Sequence, residues 1–190
     1  MKNIEKNQNK EQAITYDRRE FLKLLGGGVF ILFNIGDSLA PQSSRRRSRE
    51  YPEDFNAYLR IGEDGRVACY SGKIEMGQGV ITSLGQMLAE ELDVSVDMID
   101  MVMGDTSLCP YDMGTFGSRS TKYFGPALRQ AGAEGRAVLI RLAAEQLKVP
   151  AAQLAVKDGV VYNKKAPTVK VSYASLTKGK RIVRQIEKKV

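Results

Sequence analysis

Two glycine-rich segments contain the residues of this chain whose types and spacing are suited to binding a ligand. The first extends from Lys73 to Thr82 and the second from Gly114 to Thr121. Glycine adopts positive φ angles and lets main-chain N–H groups approach a bound group closely. Each segment is followed by a helical pattern, and the N-terminus of a helix attracts negative charge. The spacing alone therefore predicts either cradles for an anion or cofactor, or two structural turns.

The elements that flank the first segment are a β-hairpin and a helix. Ala57 to Ile61 and Arg66 to Tyr70 have strand character, and Glu63-Asp64-Gly65 between them is typical of a hairpin turn. The second of these strands leads directly into the glycine-rich segment. Apolar residues then recur at helical spacing from Val80 to Leu92. A strand and a helix are thus predicted to hold the first segment from its two sides.

The second segment belongs to a long loop that precedes a long helix. Residues 97–103 alternate as a strand, residues 104–125 show no regular pattern, and residues 127–147 carry a helical stripe. A loop of this length inside a domain is more often functional than not. A hairpin at 154–162 and a short strand and helix within 169–176 complete the pattern. Together these elements predict an α+β fold, a small sheet with two main helices on one side.

Composition excludes several kinds of chemistry. The 190-residue chain has no His, which removes Ser-His-Asp and Cys-His triads, imidazole bases and His-bound metals. Its two cysteines, Cys69 and Cys109, lack the paired spacing of zinc or iron–sulfur sites, and free thiols are favoured over a disulfide. The formal net charge is +7, with basic runs at 45–49 and 178–189 that contain no aromatic residues. We therefore predict no metal ligands in the chain and no nucleic-acid partner.

The N-terminal region resembles a twin-arginine export signal. Arg18 and Arg19 precede an apolar run at residues 24–33, which is shorter than the ~20 residues of a membrane span. Small residues at 38–40 favour cleavage after Ala40, while an uncleaved anchor and a helix packed on the domain are the alternatives. The pattern predicts a periplasmic or envelope-associated protein, with the twin-arginine export machinery as a partner.

The predicted organisation has four parts. Residues 1–40 form the signal segment, residues 41–54 a linker rich in Ser, Arg, Pro and Glu, and residues 55–177 one domain. Residues 178–190 form a basic tail. No internal repeat is visible, so the sequence predicts one core and not a stack of similar units.

Four short blocks within the predicted domain occur in an order that is specific to one protein family. They are Gly72-Lys73-Ile74-Glu75-Met76-Gly77-Gln78-Gly79, Ala89-Glu90-Glu91-Leu92-Asp93, Met103-Gly104-Asp105-Thr106 and Phe116-Gly117-Ser118-Arg119-Ser120-Thr121. Together they resemble the large, molybdopterin-binding subunit of the xanthine dehydrogenase and aldehyde oxidase family. Within that family the chain is most similar to exported beta subunits of the isoquinoline 1-oxidoreductase and nicotinate dehydrogenase type. Residues 55–177 are accordingly predicted to be the N-terminal part of a molybdopterin-binding domain.

The resemblance implies that both glycine-rich segments contact the molybdenum cofactor, molybdopterin, with a cytosine dinucleotide form as one option. In the first segment, the side-chain amide of Gln78 would donate to a ligand of the metal, and the amides around Gly77 and Gly79 would contact the pterin. In the second, the cofactor phosphate would be bound by the loop residues Gly117, Ser118, Arg119, Ser120 and Thr121. A surface salt bridge for Arg119 and helix capping for the hydroxyls are the alternatives.

The chain departs from the family pattern in one respect. The family's catalytic base is a Glu in a Gly-Glu motif near the end of a much longer subunit, and no position here matches that motif. Glu75 is not assigned as a base, because pairing with Lys73 or capping of backbone amides explains it better. No catalytic residue is therefore predicted in this chain.

The missing motif leaves two functional interpretations. By resemblance, the chain is part of an enzyme that oxidises an aldehyde or N-heterocycle with oxygen from water. The chain would need the remaining part of the large subunit and an iron–sulfur subunit as partners for this reaction. The alternative is a non-catalytic exported module, a degenerate remnant that binds a partner protein or an anion.

Overall fold

The structure, a computed structural model, describes residues 26–33, 57–112 and 114–186. The predicted α+β class is confirmed, and no helix in these ranges is long and apolar enough to cross a membrane. In chain order the elements are β1 (Gly28–Phe33), β2 (Ala57–Ile61), β3 (Val67–Ser71), α1 (Val80–Leu92), β4 (Ile99–Met103), α2 (Gly125–Leu147), β5 (Leu154–Lys157), β6 (Val160–Asn163), β7 (Ala166–Ser172), α3 (Tyr173–Thr177) and β8 (Arg181–Gln185).

The larger sheet has five strands in the order β4-β3-β2-β1-β8. Strands β1, β2 and β3 are antiparallel neighbours, whereas β3 with β4 and β1 with β8 are parallel. A parallel pair needs a crossover connection, and α1 provides it between β3 and β4. The first glycine-rich segment therefore lies at the carboxyl end of β3, a position where open sheets commonly bind ligands.

Helices α1 and α2 pack on one face of this sheet, as predicted. The alternating side chains of β1 show the two faces. Val29, Ile31 and Phe33 join the core beneath the helices, while Phe30 and Leu32 join a smaller cluster on the opposite face. Because β1 is buried on both faces, its sequence is apolar at every position after the glycine.

The smaller sheet, with the antiparallel order β5-β6-β7, is attached to the C-terminal end of α1. Asp158 and Gly159 have φ angles of 49° and 71°, so the predicted Asp-Gly hairpin is confirmed. The amide of Gly159 donates to the carbonyl of Asp93, and the Tyr173 hydroxyl donates to the carbonyl of Leu92. Burial raises the pKa of Tyr173, so its hydroxyl remains a donor at neutral pH.

The structure differs from the predicted domain boundaries at two strands. Strand β1 falls in the segment assigned to an export signal, yet it is almost fully buried and pairs with β2 and β8. Strand β8 falls in the predicted basic tail. A short apolar run fits a signal and a buried strand equally well, and the charges of Arg181 and Arg184 obscured an edge strand. The twin-arginine motif, the cleavage position and the predicted linker lie outside the described residues.

Candidate functional site

The first glycine-rich segment forms the turn between β3 and α1. Gly77 and Gly79 have φ angles of 92° and 75°, and Gly79 is the residue immediately before the helix. Side chains other than that of glycine rarely adopt these angles. A Cβ atom at either position would meet nothing within 4 Å, so the turn has an open outer side.

The carboxylate of Glu75 occupies the inner side of this turn. Its Oε1 accepts hydrogen bonds from the amides of Gly77 (2.7 Å) and Gly79 (3.0 Å), and its Oε2 accepts one from Ile81 (3.0 Å). These backbone donors, that of Ile81 most strongly, lower the pKa of Glu75. The alternative in which Glu75 caps backbone amides is therefore confirmed, and a bound group has to displace this carboxylate to reach the same amides.

The side-chain amide of Gln78 is folded back onto its own loop. Its Oε1 accepts a hydrogen bond from the amide of Met76 at 2.5 Å, and its Nε2 donates to the carbonyl of Ile74 at 2.8 Å. The residue is exposed. Donation to a bound group thus requires only that an exposed side chain rotate away from the Ile74 carbonyl.

Two contacts attach the second glycine-rich segment to the first. Lys73 Nζ lies 2.7 Å from Asp112 Oδ1, a residue 39 positions away, and 2.8 Å from the carbonyl oxygen of Gly114. The amide of Ile74 donates to Thr115 Oγ1 at 2.8 Å. The fold therefore brings the two segments, which are distant in sequence, into one site.

The second segment enters α2 through a π-helical turn at Ser120–Phe124, within the region predicted to be loop. Such turns occur frequently at functional sites. In this turn Thr121 Oγ1 lies 3.5 Å from Ser83 Oγ of α1, which links the two helices at the mouth of the site. The Arg119 guanidinium lies 5.9 Å from the centroid of the Phe116 ring, within the range of a cation–π contact.

The two segments line an open cleft with a volume of about 520 Å³. The predicted site residues Gly77 and Gly79 are outside its lining, and the others belong to it, namely Gln78, Gly117, Ser118, Arg119, Ser120 and Thr121. Sequence reasoning missed five further lining residues: Met76, Val80, Ser83, Thr115 and Phe116. Ser83 could have been found from the helical pattern, because it lies in the first turns of α1, on the side that faces the second segment.

The donor set of the cleft fits an anionic, phosphate-bearing ligand. Hydroxyl groups surround it and Arg119 contributes a positive charge, while no Asp or Glu lines it. Phosphate oxygens are bound well by such neutral donors and by guanidinium groups. Within the described ranges, no group of three or more Cys, Asp and Glu residues is placed to hold a metal ion.

The two cysteines are free thiols, as the sequence favoured. Cys69 is buried in the core, and burial raises its pKa, so its thiol is not an activated nucleophile. Cys109 is half-buried and its Sγ lies 3.2 Å from the carbonyl oxygen of Val102. Neither thiol lines the cleft.

Replacement of Glu75 by glutamine is expected to loosen the first turn and to remove its dependence on acid pH. Because the folded state lowers the pKa of Glu75, its carboxylate stabilises the turn above the ordinary carboxyl pKa, and this contribution is lost as the pH falls through the lowered value. NMR titration of the Gly77, Gly79 and Ile81 amide shifts from neutral into acid pH measures the effect. Glu90→Gln, at an exposed position of α1, is the control and should leave these titrations unchanged.

The comparisons with known proteins agree with this site. The chain matches the family model of the molybdopterin cofactor-binding domain over residues 2–187. One of the two subunits compared, from the nicotinate dehydrogenase of Pseudomonas putida, is 36% identical over 123 residues, which are 65% of this chain and 10% of that protein. The other, the beta subunit of isoquinoline 1-oxidoreductase from Brevundimonas diminuta, is 36% identical over 122 residues, 58% of this chain and 15% of that protein.

Solved structures show the same relationship. The reconstituted CO dehydrogenase from Oligotropha carboxidovorans superposes with a TM-score of 0.57 and 32% identity, covering 63% of this chain and 15% of that chain. The matched region thus spans only 10–15% of the length of these three proteins. The family model, in contrast, covers nearly the whole of this chain. The chain belongs to the molybdopterin cofactor-binding domain family, and it is a molybdopterin-binding domain similar to part of the large subunits of molybdenum hydroxylases.

Proposed function

We propose that this chain is the N-terminal cofactor-binding portion of a molybdenum hydroxylase large subunit and works only together with other polypeptides. One observation carries the proposal. The fold joins two glycine-rich segments into a single cleft that is lined by hydroxyls and a guanidinium and contains no carboxylate. A purely structural pair of turns would not need such a donor set. Names of two relatives, nicotinate dehydrogenase and isoquinoline 1-oxidoreductase, refer to N-heterocycles.

The chain's own residues bind and orient the cofactor in this proposal. Arg119 and the hydroxyls of Ser118, Ser120 and Thr121 hold the cofactor phosphate, for which a cytosine dinucleotide form is one option. Gln78 turns away from the Ile74 carbonyl and donates its amide hydrogen to the bound group, without adding charge to an anionic complex. When bound, the molybdenum centre supplies the redox chemistry for oxidation of an aldehyde or N-heterocycle with oxygen from water. No residue of this chain is proposed as catalytic.

The partners in this proposal are the remaining part of the large subunit and an iron–sulfur subunit. The surface around the cleft supports the first of them. Within the described ranges, most of the exposed large apolar side chains belong to the segments that form the cleft, namely Ile74, Met76, Ile81, Leu108, Tyr111, Phe116 and Tyr123. An apolar rim of this kind commonly marks a protein interface. Met76, which is 68% exposed, is at its centre in sequence terms, next to Gln78.

Export by the twin-arginine route to the periplasm or envelope is also part of the proposal. Its support is the position of Arg18 and Arg19 ahead of the apolar run. Because Gly28–Phe33 is a strand of the sheet, a chain cleaved after Ala40 would have to fold without it. The N-terminal residue of the protein recovered from the envelope decides between a cleaved and a retained segment.

One observation favours the second candidate, a non-catalytic exported module that binds a partner protein or an anion. Glu75 and Gln78 satisfy the amides of their own loop within the chain, so the first segment is internally complete without a cofactor. A module that has lost its cofactor would keep this arrangement and the apolar rim. Cofactor content separates the two candidates.

The test is to purify the full chain with its co-eluting polypeptides and to measure molybdenum and acid-released nucleotide per chain. We expect near-stoichiometric molybdenum, and Arg119→Ala should lower its retention by about tenfold to a hundredfold, the effect of one hydrogen bond to a charged group. Arg141→Ala is the control, since Arg141 pairs with Glu134 on the surface of α2. Absence of molybdenum in the wild-type preparation would leave the non-catalytic module as the function.

A further inference from the structure

The Lys73 and Asp112 side chains form a buried ion pair between the two glycine-rich segments. Their side chains are only 9% and 4% exposed, and Lys73 Nζ lies 2.7 Å from Asp112 Oδ1. Neither residue lines the cleft. The pair therefore lies behind the binding surface, where it can fix the relative position of the two segments but does not contact a bound group.

The ion pair is part of a larger hydrogen-bonded junction. Lys73 Nζ also donates to the carbonyl of Gly114 at 2.8 Å, and the amide of Gly114 donates to Asp112 Oδ1 at 2.8 Å. The backbone of Lys73 is held in turn, because its amide donates to Ser71 Oγ at the end of β3. One ammonium group thus connects a strand of the sheet to the start of the second segment.

We propose that Lys73 is a positioning residue: through Asp112 and Gly114 it sets the register of the second glycine-rich segment against the first, and so assembles the cleft before a cofactor binds. The physical argument concerns the cost of burying charge. Two ions removed from water contribute little net stability even when they are paired, and their best-supported role is to specify one arrangement among several. Residues 104–119 have no regular secondary structure of their own to provide that register. The inference rests on the proposed function only for what the cleft holds.

The experiment compares Lys73→Met, Lys73→Arg and wild type in two measurements on the full chain. The first is hydrogen exchange of the amides in residues 110–119, with those of α1 and α2 as an internal measure of folding. The second is retention of molybdenum by the complex purified with each variant. Lys157→Met, at an exposed position of β5, is the matched control for loss of one positive charge.

We expect Lys73→Met to speed exchange in residues 110–119 by about tenfold to a hundredfold, as loss of a charged hydrogen bond predicts, and to lower molybdenum retention by a similar factor. The amides of α1 and α2 should keep their protection. Lys73→Arg should restore part of both effects, because a guanidinium can still reach a carboxylate and a carbonyl. If Lys73→Met unfolds the helices as well, the Lys73→Met, Asp112→Asn double variant removes the unpaired buried charge and should recover helix protection with the loops still loosened.

Three results would overturn the proposal. Wild-type exchange in residues 110–119 of Lys73→Met would show that the pair does not hold the second segment. Faster exchange with full molybdenum retention would make the pair merely structural, and lost retention with unchanged exchange would mean that Lys73 acts on the bound group itself. If the wild-type complex retains no molybdenum, the proposed function fails, and the exchange measurement still decides whether Lys73 positions the loop.

Discussion

Replacement of Ile31 by aspartate is expected to abolish cooperative folding of the five-stranded sheet. Ile31 is fully buried, and it is paired with Leu59 of β2 and with Arg184 of β8. A carboxylate at this position lies among apolar groups, and an uncompensated buried charge costs about 3–5 kcal/mol. Domains are stable by only about 5–15 kcal/mol in total, so this loss removes much of the margin. Urea unfolding followed by circular dichroism should show a large fall in the midpoint.

Val183→Asp is the matched control for this substitution. Val183 lies on edge strand β8 and is 41% exposed, so the new carboxylate remains hydrated. Surface substitutions of this kind usually change stability by less than about 0.5 kcal/mol. Equal midpoints for Ile31→Asp, Val183→Asp and wild type would contradict the position of β1 inside the sheet.

A chain that begins after residue 40 extends the same test to the proposed signal cleavage. It lacks β1, which leaves the buried edge of β2 uncovered and removes the strand with which β8 pairs. We expect its unfolding to be less cooperative than that of the full chain. An unchanged midpoint would instead show that β1 is dispensable, and the cleaved form would then be a competent mature protein.

Replacement of Gly72 by alanine is expected to separate the two glycine-rich segments. A Cβ at Gly72 would lie 2.5 Å from the Cβ of Asp112, 2.8 Å from the carbonyl oxygen of Pro110 and 3.0 Å from the amide nitrogen of Asp112. Two of these atoms belong to the backbone, so the second segment has to move. Overpacking of this kind costs about 1–3 kcal/mol, and the displacement should also lower molybdenum retention in the purified complex.

Gly85→Ala is the control for the Gly72 substitution. A Cβ at Gly85, in the middle of α1, would lie 3.7 Å from Met101 Cγ, an ordinary van der Waals contact. Alanine is favoured over glycine in a helix by up to about 1 kcal/mol, so this variant should be as stable as wild type or more so. A Gly72→Ala chain with wild-type stability and full molybdenum retention would show that the close approach of residues 110–112 is not needed.

The local elements around the site could be predicted from sequence because short-range patterns determine them. The helical spacing of apolar residues placed α1 at Val80–Leu92, which are the bounds that the structure has. The Asp158-Gly159 turn required positive φ angles, and both residues have them. Each of these features depends on neighbours a few residues away, so a single chain read in order contains the information.

The roles of side chains within the loops could not be predicted in the same way. Gln78 was expected to present its amide to a ligand, but the structure folds that amide against its own backbone. The amides of Gly77 and Gly79, also assigned to the cofactor, bind Glu75. A turn of this kind offers more donors and acceptors than a sequence pattern can allocate, and the nearest acceptor in three dimensions takes each donor.

The sequence by itself determined the α+β class, the main helices, the family and the two segments that form the cleft. It did so because glycine positions, turn residues and periodic apolar residues act over short distances along the chain. Only the tertiary structure decided that Gly28–Phe33 is a buried strand and that Lys73 is paired with Asp112. Both depend on which distant residues become neighbours, since a free strand edge selects its apolar partner and a buried ammonium selects its carboxylate.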